Sequence, residues 1–377
     1  MHLRHLTELA DKLPGKRVLL RGSLNLPIRN GEVVDTFRLQ RMLPTLEYLK
    51  AHKAKTILLA HIGREVTDTL KPVYEELMTK IPVTWGGVLG SDVFVEAYEA
   101  MHDGDILLVE NLRQDERETQ NDTQFAQELA ALGDYYVNDA FGNAHREHAS
   151  MVGVPQYLPA YAGINLAKEV EELGKVMKPQ HPSLFMLGGA KFETKLPLIE
   201  KYLDAYEHIF IGGALANDIL KARGYPVGQS LLSDITLDEA LVTNDKILIP
   251  VDVTVESERG QRVCALEEVA EDESIKDAGP KTVNMLRPII DSAETILWNG
   301  PLGEFEKGYM SITEEVARYV AHSKAYSVIG GGDTIAAIEN LGINDQFDWL
   351  STGGGSMLTF LEYGSTPAID LLRKNHE

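Results

Sequence analysis

Cysteine is nearly absent: among 377 residues only Cys264 carries a thiol. An internal disulfide is excluded, and so is a paired-thiol metal site; a buried, inert thiol is the plain reading. Long apolar runs are missing as well. No stretch approaches the ~18 residues of a membrane span. The opening MHLRHLTELADKLPGKRV lacks the apolar core of about 7–15 residues that a secretory signal needs. A cytoplasmic protein without a membrane partner is expected. Basic residues are outnumbered, with 36 Lys and Arg against 57 Asp and Glu, a formal net charge of −21. Such a surface repels nucleic acid and anionic lipid. An anionic ligand must therefore be captured by a local cation cluster working against the overall field. No GxxxxGK[ST] phosphate loop occurs, no GxGxxG opens the first strand–helix turn, and the HRD and DFG tripeptides are absent.

What is present is a globular composition, 44% hydrophobic, 25% charged and 7% aromatic. The length fits two domains of ordinary size. Short β-rich runs alternate with amphipathic segments from end to end, without short repeats or low-complexity tracts. Strands are predicted at 17–21, 55–60, 106–109 and 135–138, then at 183–187, 208–211, 295–298, 325–329 and 349–351. Helical patterns lie at 122–132, 195–203, 214–223 and 312–322. The alternation predicts an α/β fold of parallel sheets flanked by helices, with ligands beyond the carboxyl ends of the strands. The stretch 162–177 reads as one helix with Leu166, Val170, Leu173 and Met177 on a single face. Pro179 and Pro182 follow it, and it marks the boundary between two lobes.

The predicted strand ends differ in chemistry between the halves. The first half ends its strands in RGSLN, AHIGR, VENLR and VNDAFGNAHR. Arg21, Arg38, His61, Arg64, Arg113 and Arg146 thus fall at strand ends or a helix start. Arginine binds phosphate or carboxylate with a planar fork and stays charged, so a ligand with several negative groups is implied. The bland alternative, solvated surface residues, fits any one of them better than all six. Ser23 and Asn25, in the same loop, offer hydrogen bonds to a ligand hydroxyl, or serve as ordinary turn residues.

The second half ends its strands in LGGAK, IGGA, LWNGP, IGGGD and STGGG. Glycines let backbone N–H groups approach an oxyanion, and a helix N-terminus adds unpaired donors. Gly188-Gly189, Gly212-Gly213, Gly330-Gly331-Gly332 and Gly353-Gly354-Gly355 repeat this arrangement. A single glycine pair more often marks tight helix–sheet packing. Lys191 and Lys195 share a helix face if a helix begins there. Asp333 is a hard oxygen ligand of the kind Mg²⁺ uses beside phosphates, or a helix cap, or both. Glu306 has a carboxylate suited to ribose hydroxyls, or is an exposed loop acid.

These stretches, with VVDTFRLQRMLPTL, DAGPKT, ILWNGPLGEFE and VIGGGDT, occur in the order and spacing of a known family. Along nearly its whole length the chain resembles phosphoglycerate kinases. The resemblance implies two Rossmann-like lobes, 1–161 for phosphoglycerate and 179–357 for nucleotide. An interdomain helix at 162–178 and a hinge would join them, with 358–377 returning to the first lobe. It implies reversible transfer of the C1 acyl phosphate of 1,3-bisphosphoglycerate to MgADP, giving 3-phosphoglycerate and MgATP. Triose-phosphate contacts carry over to Asn25, Arg38, His61, Arg64, Arg113 and Arg146, and Arg21 matches the arginine of the family's RVDFN loop. Nucleotide contacts carry over to Lys191, Lys195, Gly212, Gly213, Asn299, Pro301, Glu306, Asp333 and Thr334, with Asp333 nearest the Mg²⁺. A monomer is expected.

Several positions depart from the family pattern. Ser23 stands where an Asp is usual and keeps an acceptor without the charge. Thr36-Phe37, Glu65, Ser311-Ile312 and Thr359 are further departures, and none removes a cation of the first half or either lysine. Phosphoryl transfer needs alignment and charge neutralisation more than covalent chemistry. Lys191, Mg²⁺ and the glycine-loop N–H groups would supply the neutralisation, with Arg38 completing it as the lobes close. The rivals are a catalytically weakened relative that binds nucleotide as a regulator or scaffold, a dinucleotide dehydrogenase, and a kinase of another acyl phosphate.

Overall fold

Runs such as Val18–Arg21 and Ile106–Val109 are buried at every residue. A parallel sheet covered on both faces puts its strands in that state. A computed structural model describes residues 3–190, 192 and 195–373. It divides into two compact units, 1–171 with 363–377, and 172–362.

The first unit is built on strands β1 (Arg17–Arg21), β2 (Lys55–Leu59), β3 (Thr84–Gly87), β4 (Ile106–Val109), β5 (Tyr135–Asn138) and β6 (Ala160–Ala162). All are parallel, in the order β3-β4-β2-β1-β5-β6. Arg21 at the end of β1 sits level with Leu59 of β2 and Asn138 of β5. The segments that follow these strands therefore leave the sheet at one carboxyl edge. Helix Phe37–Ala51 buries Leu39, Met42, Leu46 and Leu49, one face at helical spacing, in the core beside β1 and β2.

The second unit carries β7 (Ser183–Leu187), β8 (His208–Ile211), β9 (Ile247–Leu248), β10 (Asp252–Ser257), β11 (Gly260–Ala265), β12 (Ser274–Ala278), β13 (Thr295–Asn299), β14 (Tyr326–Gly330) and β15 (Trp349–Leu350). Six form a parallel sheet in the order β9-β8-β7-β13-β14-β15. The expected all-parallel unit needs one addition, because β11-β10-β12 form a separate antiparallel sheet. Its residues alternate less cleanly: Val253, Thr254 and Val255 are all buried, and Val263 on β11 is exposed.

The predicted helix at 162–177 is Ile164–Val176. Its expected first residue belongs instead to β6, which pairs Ala160–Ala162 with Tyr136–Asn138. The division between units falls within this helix, after Glu171. Towards the end of the chain the change of unit comes at Tyr363, later than 358. Helix Gly354–Tyr363 belongs to the second unit up to Glu362, and there the Leu361 carbonyl accepts from Tyr202 Oη at 2.9 Å. Helix Pro367–Arg373 packs in the first unit, burying Ala368, Ile369 and Leu372.

Candidate active site

The carboxyl edge of the first sheet gathers the cations picked out from the sequence. Arg21 is wholly buried at the end of β1. It donates from Nε to Ser150 Oγ at 2.8 Å, from Nη1 to the Gly22 carbonyl, and from Nη2 to His61 Nδ1 at 2.7 Å. His61 follows β2 and is buried too. Burial, then the charges of Arg21, Arg113, His148 and Arg146, hold its pKa well below the usual range. The ring is therefore neutral.

Gly63 ties the neighbouring loops together. Its N–H donates to Asn25 Oδ1 at 2.9 Å, and its carbonyl accepts from Arg113. Asn25 in turn offers its carbonyl to Arg38 Nη1 at 2.7 Å. Asp68 Oδ2 accepts from the N–H groups of Arg64 and Glu65 at 2.9 and 2.8 Å. A Cβ on Gly63, whose φ is +62°, would lie 1.8 Å from that same oxygen, so the turn requires glycine. Arg64, Arg113, Arg146 and His148 line one pocket of about 620 Å³. Asn25 and Gly63 line an adjoining hollow of about 430 Å³. Burial and then Arg146 and Arg21 lower the pKa of Arg113. Cations that destabilise one another in this way are poised for a multiply charged anion. Ser23 is buried beside Arg21 in sequence and lines neither hollow. Sequence reading missed His148, Ser150 and Glu118. The first two lie just after the VNDAFGNAHR stretch, but nothing in the sequence singled out Glu118.

In the second unit a pocket of about 550 Å³ collects Gly189, Gly213, Pro301, Glu306 and Asp333. Leu220, Leu231, Pro250 and Val253 give it an apolar wall. Helices Ala214–Ala222 and Gly332–Leu341 begin here, each after a positive-φ glycine, Gly213 or Gly331, with no side-chain cap. At Gly332–Leu341 no side chain caps the first N–H groups, which suit an anion, whereas at Ala214–Ala222 the Leu215 N–H already donates to the Gly189 carbonyl at 3.1 Å. Desolvation, then the charge of Glu306, raises the pKa of Asp333. Glu304 is neutralised by Lys276 and Lys307, each at 2.8 Å.

Of the other predicted residues, those described do not line this pocket. Helix Leu196–Tyr202 starts later than expected, with Pro197 in its first turn and Lys195 before it. Lys195 is buried, donates to the Gly188 carbonyl at 2.6 Å, and has its pKa lowered to about 8 by burial. Lys191 lies outside the described residues. Asn299 is buried, with Nδ2 3.4 Å from Met357 Sδ. A Cβ on Gly212 would meet Leu302 at 2.8 Å, and one on Gly330 would meet Met357 Sδ at 2.0 Å. A Cβ on Gly332 would meet open space, and one on Gly354 would lie 3.6 Å from the Gly331 Cα. Gly353 donates to Ser351 Oγ at 3.3 Å, and Gly355 accepts from Thr359 Oγ1 at 3.1 Å. Thr334 Oγ1 is buried without a partner among the described residues. Asp277, in the DAGPKT stretch, was missed as a pocket residue: it is buried, with Oδ2 unpartnered and its pKa raised by burial to about 7.

The phosphoglycerate kinase family profile matches residues 7–363. The phosphoglycerate kinase of Leptospira biflexa is 40% identical over 395 residues, covering 97% of this chain and 98% of that protein. Among solved structures, the phosphoglycerate kinase of Coxiella burnetii is 36% identical with a TM-score of 0.82, covering 98% of this chain and 99% of that one. That of Pyrococcus horikoshii is 28% identical with a TM-score of 0.87, covering 98% of both. The chain belongs to the phosphoglycerate kinase family.

Proposed function

We propose that this chain moves the C1 acyl phosphate of 1,3-bisphosphoglycerate to ADP, giving 3-phosphoglycerate and ATP, and runs the reverse, as glycolytic members of its family do. The observation that carries this reading is the division of chemistry between the units. One carboxyl edge is lined with guanidinium and imidazole; the other is made of glycine turns, uncapped helix starts and an apolar wall. The first suits a small polyanion, the second a nucleotide.

In this reading Arg38, Arg64, Arg113, Arg146 and His61 hold the phosphoglycerate, with Asn25 orienting its loop. Backbone N–H groups at the start of helix Gly332–Leu341 receive nucleotide phosphates. Lys191, by resemblance, neutralises the transferring group. Asp333 fits a hard cation, because its carboxyl is raised by desolvation and by Glu306, a state that a neighbouring positive charge relieves. Among the described residues no cluster of three His, Cys, Asp or Glu forms a metal site of its own. Mg²⁺ carried by the nucleotide's phosphates would be met by this carboxylate, and it would spread the charge of the phosphate oxygens when bound. The accepting oxygen is already anionic, so no general base is required. Lobe closure about a hinge and a monomeric, cytoplasmic state belong to the proposal as well.

The test is a coupled assay with 3-phosphoglycerate and MgATP. Turnover is expected, and Arg38→Ala or Lys191→Ala should lower kcat by about 10²-fold or more. No turnover by the unmodified chain, or full turnover by both variants, defeats the reading. Ser23→Asp, run alongside, measures what the missing charge costs in KM.

A further inference from the structure

By resemblance Arg21 is a ligand contact, yet its whole guanidinium is engaged inside the protein. It is 0% exposed and bonds Ser150, Gly22 and His61. A buried guanidinium without a carboxylate beside it is costly. The compensating charge lies one residue further on. Ser150 Oγ accepts from Arg21 Nε and donates to Glu118 Oε1 at 2.6 Å, while the Ser150 N–H donates to Glu118 Oε2 at 2.9 Å. Glu118 is itself 0% exposed. The serine hydroxyl has one proton, and the carboxylate takes it. The serine oxygen is thereby left to accept from Arg21.

The consequence falls on His61. Arg21 has only N–H groups to offer, so His61 Nδ1 must accept at 2.7 Å. The proton of the neutral ring then sits on Nε2. That atom is buried and has no partner among the described residues. Its charged surroundings are Arg21, Arg113, His148 and Arg146. A donor left unpaired among cations lacks one thing, an anionic oxygen.

We propose that Glu118, Ser150 and Arg21 are positioning residues that fix His61 as its Nε2–H tautomer, presenting that proton to an oxyanion of the ligand bound in the first unit. The identity of that ligand as phosphoglycerate rests on the function proposed above; the hydrogen-bond chain does not.

The experiment is ¹⁵N NMR of the His61 ring in the full-length protein, with Ser150→Ala and Glu118→Gln as variants. The unliganded wild type should show a pyridine-like Nδ1 and a protonated Nε2. Inorganic phosphate should shift the Nε2 resonance. Ser150→Ala should abolish the single-tautomer signature and raise KM for 3-phosphoglycerate about 10-fold, the scale of one charged hydrogen bond, with nucleotide KM unchanged. Glu118→Gln should do the same. A wild-type ring protonated at Nδ1, or on both nitrogens at pH 7, overturns the proposal whatever the variants do. So does a Ser150→Ala protein with the wild-type tautomer and an unchanged KM. A correct tautomer and phosphate shift in a protein that does not turn over 3-phosphoglycerate upholds the relay and rejects the functional reading.

Discussion

At Gly188 a Cβ would sit 2.1 Å from the Pro301 carbonyl oxygen and 2.7 Å from that of Gly300. At Gly332 a Cβ would meet nothing within 4 Å. The same residue type thus answers two needs at strand ends of one sheet: Gly188 lets two loops cross backbone to backbone, whereas Gly332 leaves room above a helix start. Gly188→Ala should therefore cost about 1–3 kcal/mol, the range for overpacking a site that cannot yield. A urea midpoint equal to the wild type would contradict this. Gly332→Ala should leave that midpoint within error and raise KM for the nucleotide, because the added methyl would crowd phosphates proposed to bind at this helix start. Lys195 makes a similar point. Its ammonium lies within 3.0 Å of where a Gly189 Cβ would be and bonds the Gly188 carbonyl, so it braces the glycine turn in this structure.

Among the elements, helix Ile164–Val176 shows how tertiary contacts complete a local pattern. Its start has no cap in its own sequence. The Leu166 N–H donates instead to Asp139 Oδ1 at 2.9 Å, from the residue that follows β5. The Ile164 N–H donates to Thr45 Oγ1, also at 2.9 Å. Gly163 is required because a Cβ there would lie 2.4 Å from Asp139 Oδ1. Burial raises the Asp139 pKa to about 6, against the hydrogen bonds and the helix N-terminus that favour its charge. Asp139→Ala should lower stability by about 1–2 kcal/mol, the usual cost of an N-cap, while Asp139→Asn keeps the acceptor and loses less. Equal chemical denaturation midpoints for Ala and Asn would rule out the capping role.

For the whole molecule, two buried carboxyls give stability an unusual pH dependence. Asp277 has its pKa raised by burial to about 7, and Asp139 to about 6. An unfolded Asp titrates near 3.9. The folded state therefore binds these protons more tightly. Their stabilisation is complete below about pH 4 and is lost as pH rises through about 7. The net charge of −21 works in the same direction, since acidification relieves self-repulsion. Asp277→Asn keeps the oxygen that accepts from the Ala278 N–H at 2.9 Å and removes the titration. Its Tm should exceed the wild type at pH 8, and its Tm should fall less between pH 5 and 8. A wild-type slope for this variant would mean that Asp277 is ionised at little cost.

Sequence alone determined the alternation of strands and helices, nine of the strand positions to within a residue, and the contrast between an arginine-rich and a glycine-rich set of strand ends. These are local properties: a strand buried on both faces is apolar throughout, and a parallel sheet sends its loops to one edge. The antiparallel sheet of β10–β12 was not legible, because its burial departs from simple alternation. Nor were the partners of the polar groups. Arg21 meets a serine 129 positions away, and Glu118 meets that serine from 32 positions away. Only the tertiary structure could decide that Arg21 is spent on His61 and Ser150, because hydrogen bonds between distant segments leave no period in the chain.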